Sequence, residues 1–284
     1  MTKKENILVL GSTGKTGSRV AARLTALGYN VRMGSRKAAI PFDWDDASTW
    51  KPALQGMDAV YISFQPDVAI PGADKTITAF SKLAVENGAK RLVMLSGRGE
   101  PEARACEEVV MRSGADWTIV RASWFMQNYT ESFLLDAILA GHVHLPVSEI
   151  GEPFIDVNDI ADVAVAALTQ PGHTGKVHEV TGPELITFKE AVHEISEATG
   201  RKINYKEISA DEYVSTLEMY GVPQEVISLL QYLFTEVMDG RNASVTNTVE
   251  NVLGRKPGNF STFVKKAIEQ GVWQQQLQHH QNQL

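Results

Sequence analysis

The chain has 284 residues, 43% of them hydrophobic and 21% charged, with a formal net charge of −7. This is the balance of a soluble globule of one large or two modest domains, and the acidic excess speaks against a nucleic-acid partner, whose phosphates call for clustered Lys and Arg. The single cysteine, Cys106, excludes an intrachain disulfide and a cysteine metal cluster; no run reaches the roughly 18 apolar residues of a membrane span, and the short N-terminal MTKKEN is no secretory signal, so a cytoplasmic protein without a membrane partner is expected.

In chain order, residues 7–10 read as a short buried strand that runs into Gly11, Ser12, Thr13, Gly14, Lys15, Thr16 and Gly17. Apolar residues then return at helical spacing as Val20, Ala21, Leu24 and Leu27. Strand, glycine turn and helix form the first half of a dinucleotide-binding βαβ unit, in which glycines let the backbone approach a pyrophosphate and the helix N-terminus offers unpaired N–H groups to it. The spacing is G-x-x-G-x-x-G rather than G-x-G-x-x-G. The embedded Gly14-Lys15-Thr16 resembles the end of a triphosphate-binding loop, but such a loop needs a glycine five positions before Gly14, where Val9 still belongs to the strand.

Strands are next expected at 30–34, 59–64, 91–96 and 117–121, alternating with helices at 46–54, 73–87, 101–112 and 125–139. Beyond about residue 151 the pattern changes. Residues 153–157 read as extended, 159–168 as a helix capped by Asn158, and 177–180 as a strand that rejoins the main sheet. A helix at 187–199 has Thr187 as its cap and Gly200 as its stop, 202–208 is extended, and helices follow at 210–220, 225–238 and 261–270. The expected fold is α/β, a Rossmann-type doubly wound parallel sheet with a smaller, mostly helical C-terminal substrate lobe. Residues 1–150 form the nucleotide-binding domain with 151–180 packing back on it, 181–275 the smaller lobe, and the Gln- and His-rich 276–284 a loose tail, including His279 and His280. No internal repeat is found. A homodimer is compatible with the sequence, though no seam marks one.

Ligands of such sheets bind beyond the carboxyl ends of the strands, so the residues just after each strand are the candidates. After the second strand the acid that would bind a ribose 2′-hydroxyl is missing, and Ser35, Arg36 and Lys37 stand there instead, a set suited to a 2′-phosphate and hence to NADP(H). A solvated basic turn is the plainer alternative. Asp43 is placed to accept from an adenine amino group or simply to cap the next helix, with Trp44 beside it. Ser63, Phe64 and Gln65, before Pro66, are expected along the ribose and pyrophosphate, and Ser96 and Gly97 at the nicotinamide end. Trp124, Phe125, Met126, Asn128, Tyr129 and Phe133 offer an apolar substrate wall or, equally, plain core. His142 and His144, two apart and without a third ligand in view, read as strand or turn residues rather than a metal site.

The segments GSTGKTG, GSR, SFQP, LSGRG and VRASWFMQN, with FIDVNDIADVA after them, resemble in kind and order the NmrA-like group of atypical short-chain dehydrogenases. LVLGSTGKTGSRVA, the MGSR turn, FDWDDASTW and RASWFMQN are most similar to the festuclavine and agroclavine dehydrogenase branch of ergot alkaloid biosynthesis. The resemblance covers roughly residues 7–168 and is looser beyond. It implies an NADPH-dependent reductase that transfers hydride to an electron-poor bond, an imine or iminium first, with quinone, azo or enone groups as further options. One departure matters: no Tyr in the chain has a Lys four positions later, so the Tyr-x-x-x-Lys pair of typical short-chain dehydrogenases is missing. Reduction of an iminium needs no oxygen protonated, which relaxes that requirement. If an acid is needed, Tyr129, or a water held by Asn128 or Ser96, is the candidate. The alternative implied by the same family is a non-catalytic NADP(H)-binding redox sensor that regulates a protein partner.

Overall fold

Strand β1 (Asn6–Leu10) sends Ile7 and Val9 into one core and Leu8 and Leu10 into another on the opposite face. Burial on both faces is the reason its sequence is apolar without alternation. The computed structural model describes residues 4–147 and 149–274; the tail expected at 276–284, with His279 and His280, lies outside the described residues. After β1 come α1 (Lys15–Ala26), β2 (Asn30–Gly34), α2 (Trp50–Leu54), β3 (Ala59–Ile62), α3 (Ala73–Glu86), β4 (Arg91–Gly97), α4 (Pro101–Met111) and β5 (Asp116–Ala122). The chain continues through α5 (Leu134–Ala140), β6 (His142–Leu145), α6 (Val157–Thr169), β7 (Lys176–Val180), α7 (Phe188–Thr199) and β8 (Asn204–Glu207). It then forms α8 (Ala210–Met219), α9 (Gln224–Tyr232), α10 (Thr248–Leu253) and α11 (Phe260–Glu269).

Six strands form one parallel sheet in the order β2-β1-β3-β4-β5-β7. The α/β doubly wound architecture expected from the sequence is therefore present. Val20, Ala21 and Leu24 of α1 share a core with α6 and with Val249 of α10. On the other face Trp50 and Leu54 of α2, Ile77 and Phe80 of α3, and Cys106 and Val110 of α4 cover the sheet. The order reverses between β1 and β3, and that switch point opens a crevice at the strands' carboxyl ends. No helix among the described residues is long and apolar enough to cross a membrane.

A third core unites residues 126–147 with most of the chain after 188, and the parallel pair β6–β8 belongs to it. Residues 126–147, expected within the 1–150 domain, thus supply side chains to this third core. The helix expected at 125–139 is broken for a local reason. Phe125 is extended and forms a parallel bridge with Ile155, with Met126 N donating to Ile155 O and Ile155 N to Trp124 O, both at 2.9 Å. Only one 3₁₀ turn (Met126–Tyr129) follows before α5. Helix α6 is capped by Asp156, whose carboxylate accepts from Asn158 N at 2.8 Å, so the cap is not Asn158 itself. The expected helix at 46–54 splits into a 3₁₀ turn (Ala47–Thr49) capped by Asp46 and then α2, while 225–238 becomes α9 followed by a π turn (Leu233–Val237). Thr187 and Gly200 bound α7 as expected, with a capping box to Glu190. His142 and His144 are exposed strand residues of β6.

Gly17 fixes how closely α1 approaches β1. A Cβ there would lie 2.1 Å from Gly11 O and 2.6 Å from its carbonyl carbon, backbone atoms that cannot swing away. Gly17→Ala is expected to lower the melting temperature by several degrees and to weaken nucleotide binding at least tenfold, measured by thermal melts and fluorescence titration; wild-type values for both would mean that this contact is not a constraint.

Candidate active site

Gly11, with φ +62°, turns the chain out of β1, and Gly14 N donates to Gly11 O at 2.8 Å. Gly14 then serves as the N-cap of α1, with no side-chain cap and no acid in the first turn. The first amides of a 12-residue helix are left to face the crevice, a ready anion site. Tyr61 OH, buried in the sheet, donates to Thr16 Oγ1 at 3.0 Å and pins this turn to β3. Burial pulls the Lys15 ammonium below its usual value, against the opposing charge of Glu131.

Two cavities meet over this turn, sharing Thr13, Gln65 and Pro66. The smaller, about 490 Å³, is lined by Gly11, Gly34, Ser35, Arg36 and the segment Phe42–Asp45. Trp44 braces that segment: its Nε1 donates to Ser63 O at 3.2 Å, and its ring meets Phe42, Phe64 and Phe80 at 4.8–5.0 Å between centroids. Asp43 Oδ1 accepts from Asp45 N at 3.1 Å and does not cap the following turn. The larger cavity, about 580 Å³, runs from Thr13–Thr16 past Ser63–Val68 and the end of β4 to Ser123–Phe125, Asn128 and Phe133. Leu229, Leu230 and Leu233, from α9 and the π turn, close its far side.

Beneath the larger cavity a charged network locks the strand ends. Ser96 Oγ donates to Glu107 Oε1 at 2.7 Å, and Arg121 grips the same carboxylate through Nε (2.8 Å) and Nη2 (2.5 Å). Arg121 Nη1 and Arg98 Nε both reach Glu179, and Arg98 continues to the carbonyls of Asn242 and Ser244. Burial alone would raise the Glu179 carboxyl, but the two guanidiniums hold it below its usual value. Other carboxyls lack such partners. Burial pushes Glu152 up to about 7 against a weak bond from Trp124 N, and pushes Glu100 up to about 8 with the charges of Asp67 and Glu102 adding to it.

The structure brings most of the sequence-derived residues to one groove. Thr13, Gly14, Lys15, Thr16, Ser63, Phe64, Gln65, Ser96 and Gly97 line the larger cavity, while Gly11, Ser35, Arg36 and Asp43 line the smaller. Gly17 lies behind the turn and acts by packing, and Lys37 is exposed and lines neither cavity. Of the expected substrate wall, Trp124, Phe125, Asn128 and Phe133 face the cleft. Met126 and Tyr129 do not: both are buried in the third core, Tyr129 among Phe154, Phe188 and Phe260. Burial raises the Tyr129 hydroxyl well above its usual value, and its oxygen has no partner. Tyr129 is therefore a core residue and not the acid that the sequence suggested. Sequence reasoning missed Asp67 and Glu100, each a few residues past a strand end, and the buried Glu107, which reads as an ordinary surface acid of an amphipathic helix. Among the described residues no group of three or more His, Cys, Asp or Glu is placed to hold a metal.

A glycine cradle at an uncapped helix start, continuous with a pocket at Ser35 and Arg36 on one side and a chamber with an aromatic wall on the other, fits a dinucleotide. Residues 11–171 match the NAD(P)H-binding family model and residues 104–264 that of the NmrA-like family. The chain belongs to the NmrA-like, NAD(P)H-binding oxidoreductases. It is 34% identical to the uncharacterized oxidoreductase YesF of Bacillus subtilis, over 93% of this chain and 95% of that one. It is 28% identical to agroclavine dehydrogenase of Claviceps fusiformis over 94% and 98%, in keeping with the branch that the sequence segments resemble. Its fold is shared with the Citrobacter sp. triphenylmethane reductase complexed with NADP(H), at TM-score 0.73 and 19% identity over 92% of this chain and 99% of that one.

The placement of Tyr129 separates core from catalysis. Tyr129→Phe removes an unpartnered buried hydroxyl and is expected to leave stability and turnover within about twofold of wild type, whereas Tyr129→Ala costs about 3–5 kcal/mol of stability by denaturant titration. A hundredfold loss of turnover in the Phe variant would restore the tyrosine as an acid.

Proposed function

We propose that this protein is an NADPH-dependent reductase that delivers hydride to an electron-poor double bond of a flat, apolar small molecule, whether an imine or iminium, a quinone, an azo compound or an enone. The observation that carries this reading is one groove with a pocket holding Ser35 and Arg36 at one end, a glycine cradle in the middle and a chamber beyond β4 walled by Trp124, Phe125, Phe133 and the α9 leucines. Held there, the cofactor would supply hydride at the chamber end. The lobe built from residues 126–147 and from the chain after 188 is then the substrate lobe.

The chain's own groups divide the work. The amides at the start of α1 and the hydroxyls of Thr13 and Thr16 hold the diphosphate. Ser35 and Arg36 hold a 2′-phosphate through charge-assisted hydrogen bonds. The network of Ser96, Glu107 and Arg121 keeps the end of β4 rigid, so that the chamber presents a fixed floor. Trp124 and Phe125 exclude water and hold a planar acceptor at short range, which lowers the entropic part of the barrier. Alcohol oxidation is disfavoured in this reading, since among the described residues lining the cavity there is no tyrosine.

Consumption of NADPH, followed by absorbance, against cyclic imines, quinones, azo dyes and enones tests the reading. Turnover on one class is the expected result; tight NADPH binding without turnover on any would favour a nucleotide sensor. Arg36→Ala is expected to raise the NADPH dissociation constant about tenfold or more, with less than a twofold effect on NADH. Equal losses for both nucleotides would remove the 2′-phosphate assignment.

A further inference from the structure

Glu100 stands at the N-cap of α4, before Pro101 at the first helical position, yet its side chain makes no capping bond. A carboxylate at that position normally turns back onto the helix amides. Here it lies over the end of β4 instead: a Cβ built on Gly97 would stand 2.2 Å from Glu100 Oε1. Glycine at 97 is what leaves room for that carboxyl. Glu100 is 8% exposed, lines the larger cavity, and its Oε2 has no hydrogen-bond partner. A second buried polar atom in the lining of the same cavity, Ser123 Oγ from the end of β5, is also without a partner. Buried polar atoms are nearly always satisfied, so two such orphans in the lining of one chamber point to a ligand that completes them.

We propose that Glu100 is the proton donor of the reduction, giving its proton from Oε2 to the oxygen or nitrogen of a neutral acceptor, with Ser123 Oγ hydrogen-bonded to that same heteroatom. This rests on the reductase reading above and narrows its substrates to neutral quinones, azo compounds, enones and neutral imines, whose reduction leaves an anion that needs a proton. The acceptor is reduced by two electrons as hydride from NADPH forms a bond at its electron-poor atom. The π pair moves onto the heteroatom, which takes the Glu100 proton as the Oε2–H bond breaks, and the reduced nicotinamide becomes the oxidised form. The carboxylate left behind is reprotonated from solvent through the open cleft.

The surroundings of Glu100 keep a proton on it near neutral pH. Burial first, and then repulsion from Asp67 in the loop after β3 and Glu102 of α4, together raise it to about 8. Asp67 is itself raised by burial. Tyr232 of α9 donates to Glu102 rather than to Glu100, at 2.5 Å. Cys106, on the next turn of α4, is buried and pushed up to about 12, so it carries no charge. Arg98 is turned towards Glu179 and Arg241 towards Asp239 and Gly99 O, and among the described residues no Lys or Arg forms an ion pair with Glu100. A general acid works best with a pKa close to the operating pH.

Glu100→Gln keeps the size and tests the proton alone. With a quinone that wild type reduces, its kcat is expected to fall about a hundredfold or more, and NADPH affinity to stay within threefold. A preformed iminium salt, which needs no proton, is expected to lose much less. The decline of wild-type kcat above about pH 8 is expected to disappear in Glu100→Gln, and Glu100→Asp to recover part of the rate. Independently of turnover, the infrared difference between cofactor-free wild type and Glu100→Gln at pH 7 is expected to show a protonated-carboxyl C=O band lost in the variant, the contribution of Glu152 being common to both proteins. Quinone turnover within threefold of wild type in a folded Glu100→Gln, or no such band, would overturn the proton-donor role and leave the reductase reading intact. No NADPH oxidation with any acceptor class would overturn both.

Discussion

The contact between the backbones of Gly17 and Gly11 sets the geometry on which the rest of the molecule depends. Because residue 17 has no side chain, the first turn of α1 sits against the turn that leaves β1. That places an uncapped helix start directly over the switch point between β1 and β3. Tyr61 OH and Thr16 Oγ1 then hold the same turn from the sheet side. A wider approach would leave the helix amides too far from the crevice to hold an anion, and both cavities would lose their shared middle.

A second constraint acts at the chamber end. Strand ends are usually where a sheet frays, yet here β4, β5 and β7 are tied by Ser96, Glu107, Arg121, Glu179 and Arg98, with Arg98 reaching over to the chain at Asn242 and Ser244. Buried ion pairs give little net stability once desolvation is counted. Their consequence is geometric: Ser96 and Gly97 are presented at a fixed height, and the segment after α9 is anchored to the sheet. The carboxyls outside this network, Glu100, Asp67 and Glu152, are left to respond to burial, which raises all three. Paired and unpaired acids thus sit within one crevice.

The sheet and the glycine turn at its switch point are legible in the sequence because they rest on local signals. Four apolar residues before Gly11, helical spacing after Gly17, and the basic Ser35–Arg36 pair where an acid would otherwise stand each have a meaning independent of distant contacts. Tyr129 was misread because an aromatic residue after a strand end is equally fit for a wall or a core. The parallel bridge from Phe125 to Ile155, a tertiary feature with no local signature, is what accompanies the turn of this segment into the smaller lobe. The same bridge broke the helix expected over 125–139. Asn158 reads as a cap from its residue type, but Asp156, two positions earlier, is equally suited and only the backbone shows that it takes the role. Glu100 escaped notice because its separation from the helix amides and its position over Gly97 are features of side-chain direction, not of spacing.

In the function proposed above, one continuous groove holds the nucleotide, with the reactive end in the chamber between the sheet and α9. Amide hydrogen exchange with and without NADPH tests it most directly, since bound ligand slows the local openings that expose amides. Protection is expected at residues 11–18, 35–45, 63–68 and 95–98, and also at 123–133 and 229–233, with β6 and β8 unchanged. Protection confined to the glycine turn, or absent from 123–133 and 229–233, would contradict it.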